Sequence, residues 1–546
     1  MKKILLGFIF LFAAFHASDS QEVYKFRLLL TDKNGSGYSV GRPDEFLSDK
    51  ALAGRLKYGI PIDESDLPVS EAYLSELRQQ GVRIVCSSKW MNSVVIACSD
   101  SLAGIGLKNL PFVDSVKVVW KNKAATLKSL NIDPTSAVKS EMNATSVNFT
   151  EDDDYYGKAA TQIKMHNGDL LHNAGYKGSG MTIAVIDAGF RKANTIDGLK
   201  NSIVGEKDFV VPDGDVYAAD ISDHGIKVLS TMAANIPNTM VGTAPEASYW
   251  LLRSEDVSSE FPVEEDYWAA AAEFADSIGV NIINSSLGYT TFDYPTASYT
   301  KDQLDGKTAF ISQAANYAAR KGILVCNSAG NSGSAGWRLV NCPGDAENIL
   351  TVGSVTKDSI KAASSSVGPT ADGRIKPEVV AMGASACVLD ESGNVAFSSG
   401  TSFASPIMAG LAACLWQALP ELSNTELIDL LEKYASQSDM PDYDYGYGIP
   451  DVFKAYLEQG SQIKISQKNI NKPTIFMTSS GMLCIRNLSS AFGNYSVIIY
   501  NTCGNALYRR TSIAENGTFD VSSLQKGVYL VAIQGKDESY TCKVVK

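Results

Sequence analysis

The fold is decided by the stretch Thr182-Ile183-Ala184-Val185-Ile186-Asp187-Ala188-Gly189, a short apolar run that ends in an acid and a glycine. Such a run is too short for a helix, and its lack of polar alternation is typical of a strand buried on both faces. Similar runs alternate with longer helical patterns from residue 161 to residue 459, which predicts an α/β domain with a parallel sheet covered by helices on both faces. The predicted strands are Thr182–Ile186, Tyr249–Arg253, Ile282–Asn284, Ile323–Asn327 and Ile349–Val352, and the predicted helices are Asp266–Ser277, Thr308–Arg320 and Phe403–Ala418.

A smaller unit with a different pattern precedes this domain. Residues 21–121 combine short strands with amphipathic helices, which predicts a helix layer on an antiparallel sheet, a small α+β domain. Residues 122–160 are rich in Ser, Thr, Asn and Lys and contain the acidic run Glu151–Asp154, so we expect an exposed linker where proteases cut. The predicted strands of the unit are Val23–Leu30, Val82–Cys86, Ser93–Cys98 and Ser115–Trp120, and its predicted helices are Glu45–Tyr58, Ser70–Gln80 and Ser101–Lys108.

Residues 460–546 have the pattern of an all-β module. Short alternating segments separated by Gly, Asn and Ser predict a β-sandwich. These segments are Thr474–Met477, Met482–Arg486, Tyr495–Tyr500, Ala506–Arg509, Gly527–Gln534 and Ser539–Val545.

Composition and the N-terminus bear on where the protein works. The formal net charge of −12 over 546 residues argues against a general nucleic-acid-binding protein, which would present a basic face. Residues 1–20 have the features of a secretory signal peptide: Lys2 and Lys3 precede an apolar run, and small residues precede a cut at Gln21. The alternative is an uncleaved anchor, but the run is shorter than the roughly 20 residues that span a bilayer, and no transmembrane segment is expected elsewhere.

The nine cysteines are too few for a disulfide scaffold in a chain of this length. Export permits disulfides, and Cys86 with Cys98 or Cys326 with Cys342 are the candidate pairs. The sequence leaves pairing and buried thiols equally open for each.

Three residues with catalytic potential lie in turn-rich contexts at the ends of predicted elements. Asp187 follows a buried strand, while His224 and Ser402 each open a predicted helix. Sites in open α/β sheets form outside the carboxyl ends of the strands, where loops meet helix N-termini. A serine hydroxyl becomes a useful nucleophile when an imidazole takes its proton and a carboxylate orients that imidazole. The sequence therefore predicts a triad of Asp187, His224 and Ser402.

An acyl-transfer site also needs donors for the oxyanion of its tetrahedral intermediate. Asn331 follows a buried strand in Ala329-Gly330-Asn331-Ser332-Gly333, and its side-chain amide is a candidate donor. The backbone N–H of Ser402, at a helix N-terminus, is a second. Each of these residue patterns alone is weak evidence for a catalytic site. An acidic residue after a strand is more often a cap, and Asn after Gly is common in turns. Their joint occurrence in one domain carries the prediction.

These residues resemble the subtilisin-like serine proteases in the order Asp, His, Asn, Ser. The resemblance covers about residues 160–455 and is most specific at the serine motif, Gly400-Thr401-Ser402-Phe403-Ala404-Ser405-Pro406. Further motifs of the family resemble Val185–Gly189, His224–Val228, the turn Ala244-Pro245 and the oxyanion segment Ala329–Asn331.

The resemblance implies a secreted serine endopeptidase with a subtilisin-like fold that acts on protein or peptide substrates. It implies no required cofactor; calcium could bind through oxygen ligands, but the loop Asn235–Val241 is shorter than the family's calcium loop and no metal site is predicted. Two departures are Ala188, where the family has Ser or Thr, and Lys227, where it has a second histidine. The resemblance also implies that substrate is bound by Ser285, Ser286, Leu287, Gly288 and Asn341, with Cys342–Gly344 in the wall of the specificity pocket.

The resemblance gives the flanking units roles as well. Residues 21–121 resemble the family's propeptide, which implies an intramolecular inhibitor released at the linker; the alternative is a permanent extra domain. The last unit resembles the C-terminal sorting domain of Bacteroidetes type IX secretion, which implies export across the outer membrane by that machinery. This match rests on Asp520–Leu524, Gly527–Val531 and Lys543–Lys546. The alternative is a β-sandwich that binds substrate or carbohydrate.

Two other functions are alternatives to the protease. A catalytically inactive relative, serving as a peptide-binding or surface scaffold protein, is favoured only by Ala188 and Lys227. A lipase or esterase needs a Gly-x-Ser-x-Gly elbow and the order Ser, Asp, His, and the chain has neither at Ser402. The acidic residues Glu255, Asp256, Glu260, Glu264 and Glu265 indicate either a preference for basic substrate residues or a solvated loop.

Overall fold

The structure, a computed structural model, describes residues 24–122, 155–466 and 474–546, the last range with breaks at 478–481, 487–494, 502–503, 514–516 and 536–538. The predicted signal peptide, the acidic run Glu151–Asp154 and most of the predicted linker lie outside the described residues. Contacts divide the chain into two units: residues 1–42, 63–140 and 261–266 make up the first, and the remainder makes up the second.

The first unit is built on a four-stranded antiparallel sheet. Its strands stand in the order β2-β3-β1-β4, and their inward residues, with Leu77 and Phe112, form a separate core. The four predicted strands and two of the three predicted helices are present in this unit, which confirms an α+β domain at this end of the chain. Its elements are β1 Tyr24–Leu30, α2 Glu71–Gln79, β2 Arg83–Ser88, β3 Ser93–Cys98, α3 Ser101–Gly106 and β4 Val113–Lys121.

A buried ion pair ties Phe261–Asp266 into this unit. The Arg27 Nε and Nη2 atoms each lie 2.6 Å from a carboxylate oxygen of Asp266, and Glu265 lies 3.5 Å from the same guanidinium. All three side chains are almost fully buried. A buried charge needs a partner of opposite charge. The ion pairs of Arg27 with Asp266 and Glu265 therefore hold residues 261–266 in the first unit.

Helix α1, Asp49–Lys57, belongs to the second unit, although it was predicted together with the first. It begins four residues later than the predicted start at Glu45, because the Ser48 hydroxyl caps it by accepting from the Ala51 N–H. Arg55 forms a buried ion pair of 2.7 Å with Asp276.

The second unit contains a seven-stranded parallel sheet in the order β13-β12-β11-β10-β5-β9-β6. Five of the strands were predicted; β6 and β13 were not. Strand β6 lies at the sheet edge and exposes half of its residues, so it lacks a continuous apolar run, and β13 is only four residues long. The strands are β5 Thr182–Asp187, β6 Ile203–Asp208, β9 Ser248–Arg253, β10 Ile282–Ser285, β11 Leu324–Ser328, β12 Leu350–Val355 and β13 Val379–Met382, and two short hairpins pair β7 Asn235–Ile236 with β8 Met240–Val241 and β14 Ala386–Leu389 with β15 Val395–Ser398.

Helices cover this sheet, and one of them, Thr401–Ala418, is buried over nearly its whole length. Its apolar all-round pattern is what a central helix requires. The predicted α/β domain with a parallel sheet is confirmed. The helices of this region are α4 Ala160–Lys164, α5 Gly168–Asn173, α6 Asp197–Lys200, α7 His224–Ala233, α8 Val263–Ile278, α9 Phe310–Arg320, α10 Thr401–Ala418, α11 Asn424–Lys433 and α12 Val452–Ser466.

The described C-terminal residues form two antiparallel sheets, β16-β17-β20 and β19-β18-β21-β22. Residues from both sheets share one apolar core, as a β-sandwich requires. The strands are β16 Thr474–Met477, β17 Met482–Arg486, β18 Tyr495–Tyr500, β19 Ala506–Ile513, β20 Gly517–Asp520, β21 Val528–Gln534 and β22 Ser539–Val545.

Two local features could not be read from the sequence. Residues 160–173 form two short helices, α4 and α5, rather than one, because Asn167 adopts a left-handed conformation between them (φ 54°). Cys326 is a buried free thiol, so the Cys326–Cys342 disulfide does not form. Of the two possibilities that the sequence left open for Cys326, the structure shows the buried thiol.

A matched pair of glycine substitutions tests the packing of α10. A methyl group at Gly410 would meet the Thr243 hydroxyl at 2.0 Å, whereas one at Gly54 in α1 has no atom within 4 Å. We therefore expect Gly410→Ala to destabilise the second unit by about 1–3 kcal/mol through overpacking. Gly54→Ala should stabilise it by about 0.5–1 kcal/mol through helix propensity.

Thermal unfolding midpoints of the two variants and the wild type measure the difference. Equal midpoints for the two variants would contradict the close packing of α10.

Candidate active site

The site lies at the carboxyl edge of the parallel sheet. Asp187 is the last residue of β5 and is buried, and His224 is the first residue of α7. The His224 Nδ1 atom lies 2.8 Å from Asp187 Oδ1 and 3.0 Å from Oδ2. This hydrogen bond leaves the Nε2 atom of the imidazole to act on a substrate or a nucleophile.

The Asp187 carboxylate has a hydrogen-bond donor nearby, although residue 188 is an alanine. The Ala188 backbone N–H donates to Asp187 Oδ1 over 2.7 Å. A backbone donor thus takes part in holding the carboxylate that binds His224, where the family usually has a hydroxyl side chain at residue 188.

The start of α7 is fixed by close backbone contacts. The Gly225 N–H donates to the Gly189 carbonyl over 3.0 Å, and a methyl group at Gly225 would come within 2.4 Å of that oxygen. Glycine is required here because only it lets the helix approach the β5 turn this closely. The second departure, Lys227, forms an ion pair of 2.8 Å with Asp223.

Ser402 lies in the first turn of α10 and is 9% exposed. Its hydroxyl donates to the Ser286 carbonyl over 3.3 Å, and the Ser286 hydroxyl donates to the Ser402 carbonyl over 2.8 Å. The next ring in the chain, Phe403, is centred 5.8 Å from the His224 imidazole. The structure therefore places the neighbour of Ser402 in the chain close to the His224 imidazole, and the Ser402 hydroxyl is held by a long hydrogen bond to the Ser286 carbonyl.

Asn331 is held against the start of α10 by its side-chain oxygen. Its Oδ1 atom accepts from the Thr401 N–H over 2.9 Å and from the Thr401 hydroxyl over 3.1 Å. The Gly330 N–H donates to the same hydroxyl over 3.1 Å. Because the oxygen of the Asn331 amide faces the helix, its nitrogen is the end that can donate elsewhere. Thr401 was not singled out from the sequence, although it lies inside the serine motif.

Of the five predicted substrate-binding residues, Ser286 contacts Ser402. Ser285 ends β10, and Ser286, Leu287 and Gly288 follow it in the chain. The Ser285 hydroxyl accepts from the Trp268 indole over 3.0 Å, so it supports the strand from beneath. Asn341 lies against Gly288 from the other side, its Cβ 3.0 Å from where a methyl group on Gly288 would be.

A second carboxylate, Glu255, lies near the Asp187–His224 pair. It follows β9, and the Tyr289 hydroxyl donates to it. Burial, together with the charge of Asp187, raises the pKa of Glu255 to about 7, although the Tyr289 hydrogen bond and the charge of His224 oppose the shift. Burial alone would lower the pKa of His224, but Asp187, with a smaller contribution from Glu255, raises it above its ordinary value.

The other acidic residues that follow β9 lie in different surroundings. Glu264 and Glu265 lie in the first turn of α8 and are buried, so they are not part of a solvated loop. Burial and the neighbouring charges of Glu255 and Asp293 raise the pKa of Glu260 to about 8. These acidic residues are close in sequence, but Glu264 and Glu265 belong to α8, whereas Glu255 and Glu260 precede it.

No group of three or more His, Cys, Asp or Glu side chains in the described ranges 24–122, 155–466 and 474–546, with their gaps, is placed to hold a metal ion.

Comparison with known proteins identifies the class to which this fold and site belong. Residues 178–448 match the model of the subtilase family. The chain is 31% identical over 293 residues to subtilisin DY of Bacillus licheniformis, a match that covers 53% of this chain and 96% of that protein. The chain therefore belongs to the subtilase family and is a subtilisin-like serine endopeptidase.

Further relatives agree with this placement. The subtilisin of Bacillus pumilus is 30% identical over 294 residues, covering 54% of this chain and 95% of the relative. The crystal structure of the epidermin leader peptide processing serine protease of Staphylococcus aureus has a TM-score of 0.53 at 18% identity. That match covers 82% of this chain and all of the other. At this identity the likeness shows the fold alone.

The flanking units match families of their own. Residues 25–136 match the peptidase S8 propeptide domain of Bacteroidota, and residues 479–546 match the secretion system C-terminal sorting domain. The sorting domain indicates an exported protein that is secreted or held at the cell surface. Among the described residues, no helix has the length and apolar character needed to cross a membrane.

The Glu255 carboxylate gives a testable pH effect. Its negative charge raises the pKa of His224, so Glu255→Gln should lower that pKa while keeping an oxygen to accept from Tyr289. The base form of His224 then persists to lower pH, and the acid limb of the kcat/KM profile on a peptide substrate should move to lower pH.

Asp256→Asn, one residue away, controls for the general loss of a negative charge. An acid limb that stays in place in Glu255→Gln, or moves to higher pH, would show that Glu255 does not act on His224.

Proposed function

We propose that the chain is a secreted endopeptidase that hydrolyses peptide bonds in protein substrates through a triad of Asp187, His224 and Ser402. The observation that carries the proposal is the pair of contacts from His224 Nδ1 to the Asp187 carboxylate at 2.8 and 3.0 Å. A carboxylate in this place fixes the imidazole tautomer and stabilises the imidazolium that forms during catalysis.

Each residue has a distinct role in the proposed reaction. His224 Nε2 takes the hydroxyl proton of Ser402, whose Oγ attacks the substrate carbonyl carbon and forms a tetrahedral intermediate. His224 then gives that proton to the leaving amine, and an acyl-enzyme on Ser402 remains. Water, activated by the same imidazole, hydrolyses the acyl-enzyme and restores the serine. This chemistry needs no cofactor.

The oxyanion of the intermediate would be stabilised by Asn331. Its amide oxygen is occupied by Thr401, which supports the nitrogen as the donor to the substrate oxygen. The Ser402 N–H in the first turn of α10 would be a second donor, because the N-terminus of a helix favours negative charge.

Before reaction the Ser402 hydroxyl must leave its contact with the Ser286 carbonyl. That hydrogen bond is long, at 3.3 Å, and rotation of the side chain would turn the hydroxyl towards His224. Catalytic hydrogen bonds are often loose before substrate binds, so this geometry is compatible with activity.

The substrate backbone would lie along Ser285, Ser286, Leu287 and Gly288, with Asn341 at the pocket beside Ser402. We propose that residues 21–121 act as the propeptide and inhibitor, with the processing bond between residues 122 and 160, and that residues 460–546 are handed to the type IX secretion machinery. The scaffold alternative rests on Ala188 and Lys227, and both find local partners in the structure.

Comparison of the wild type with Ser402→Ala tests the proposal. The alanine variant should fold but lose hydrolysis of a protein substrate by about a million-fold, the loss known from subtilisin when its serine is removed. Intact mass and N-terminal sequencing of both purified proteins should show loss of residues 21–121 in the wild type only.

Wild-type levels of hydrolysis in Ser402→Ala would refute the triad. Retention of residues 21–121 by an active wild type would instead refute the propeptide role.

A further inference from the structure

Residues 43–62 belong to the propeptide by sequence but to the second unit by their contacts. They lie inside the range that matches the propeptide domain, yet they group with the peptidase residues. They contain α1, whose buried residues Ala51 and Arg55 are four apart and therefore lie on one face of the helix. On this face Arg55 forms its buried ion pair of 2.7 Å with Asp276 of α8.

The start of α1 lies against the end of α8. The Ser48 N–H donates to the Ser277 carbonyl over 2.9 Å, which gives a donor to one of the last carbonyl groups of α8. A methyl group at Gly279 would come within 2.6 Å of the Ala51 backbone nitrogen. Helix α1 is therefore in close contact with the turn that leads from α8 into β10.

The same stretch also reaches the two strands beside β10. The Lys50 ammonium donates to the hydroxyl of Thr182, the first residue of β5. A methyl group at Gly322, just before β11, would come within 2.5 Å of the Ile60 Cδ1 atom. Residues 43–62 thus lie at the beginnings of three adjacent strands, β11, β10 and β5, which we call the amino edge of the sheet.

The catalytic residues lie at the other edge of the same sheet. Strand β5 begins at Thr182 and ends at Asp187, so about 16 Å of strand separates the Lys50 contact from the catalytic carboxylate. Ser286 likewise follows the carboxyl end of β10. The contact made by residues 43–62 is therefore separate from the place where substrate would bind.

A buried charge pair makes this contact costly to break. The Arg55 and Asp276 side chains are only 4% and 3% exposed. Removing one partner of a buried ion pair is strongly destabilising, whereas loss of an exposed pair has little effect. Tyr58 adds a weaker, exposed hydrogen bond of 3.1 Å to the Pro420 carbonyl.

We propose that residues 43–62 are an anchor that holds the propeptide at the amino edge of the sheet and delays its departure after the linker is cut. Cleavage between residues 122 and 160 breaks the covalent connection but leaves the anchor in place. The inference rests on the proposed propeptide role of residues 21–121 and adds the contact that controls their release.

Variants confined to the anchor test the proposal, because processing removes these residues and every variant yields the wild-type mature enzyme. Arg55→Met removes the charge from the buried pair, and Ala51→Trp leaves no room for α1 against Gly279. After linker cleavage of the full chain, both variants should release residues 21–121 about a hundredfold or more faster than the wild type. Size-exclusion chromatography, together with the onset of peptide hydrolysis, measures the release.

Leu56→Gln is the matched control, since that side chain of α1 is 85% exposed, and its release rate should equal that of the wild type. Release from Arg55→Met and Ala51→Trp at the same rate as from Leu56→Gln would overturn the anchor. If neither of these chains folds, Tyr58→Phe decides. It removes one exposed hydrogen bond and should speed release about threefold, and an unchanged rate would overturn the anchor.

Hydrogen exchange in the Ser402→Ala chain separates this inference from the proposed function, because exchange needs no catalysis. Adding Ala51→Trp should speed exchange at the Gly279 amide and leave the Ala188 amide, at the catalytic edge, unchanged. Unchanged exchange at Gly279, with normal self-processing of the wild type, would overturn the anchor alone. A wild type that neither cuts its linker nor is labelled at Ser402 would overturn the proposed function, while faster exchange at Gly279 would still support the anchor.

Discussion

The hydrogen bond between the Asp187 carboxylate and His224 Nδ1 is the interaction on which the account of the site depends. It joins the end of a central strand to the start of a helix, and it sets which imidazole nitrogen is left to accept a proton. Both partners are placed by backbone: Asp187 by the parallel sheet, and His224 by the contact of Gly225 with Gly189. The geometry of the base is therefore a property of the fold rather than of a flexible loop.

Much of this arrangement could be predicted from the sequence, because buried parallel strands are short apolar runs and their ends meet at one edge. The runs that became β5, β9, β10, β11 and β12 were visible for that reason. Strand β6 was not, since an edge strand that exposes Glu206 and Lys207 has no apolar continuity. The break between His166 and His172 was hidden as well, because it depends on a left-handed Asn167 rather than on a change in hydrophobic periodicity.

Within the site, the sequence predicts which residues take part better than it predicts their hydrogen-bond partners. The sequence gives no indication that the Ala188 N–H binds Asp187, or that the Asn331 oxygen is taken by Thr401, because backbone donors leave no trace in side-chain type. The acidic residues after β9 are close in sequence but have different surroundings in the structure. Spacing grouped Glu255 with Glu264 and Glu265, whereas the structure puts the first near His224 and the others in a buried helix turn beside Arg27.

The central claim is that Asp187 activates Ser402 through His224, and the rate of covalent labelling by a fluorophosphonate measures this directly. Labelled wild-type protein, digested and analysed by mass spectrometry, should carry the probe on the peptide that contains Ser402. Asp187→Asn should preserve the shape of the site but slow labelling by about ten-thousand-fold, the loss known for this change in serine proteases. Equal labelling rates in the two proteins, or a probe attached to a different serine, would contradict the account.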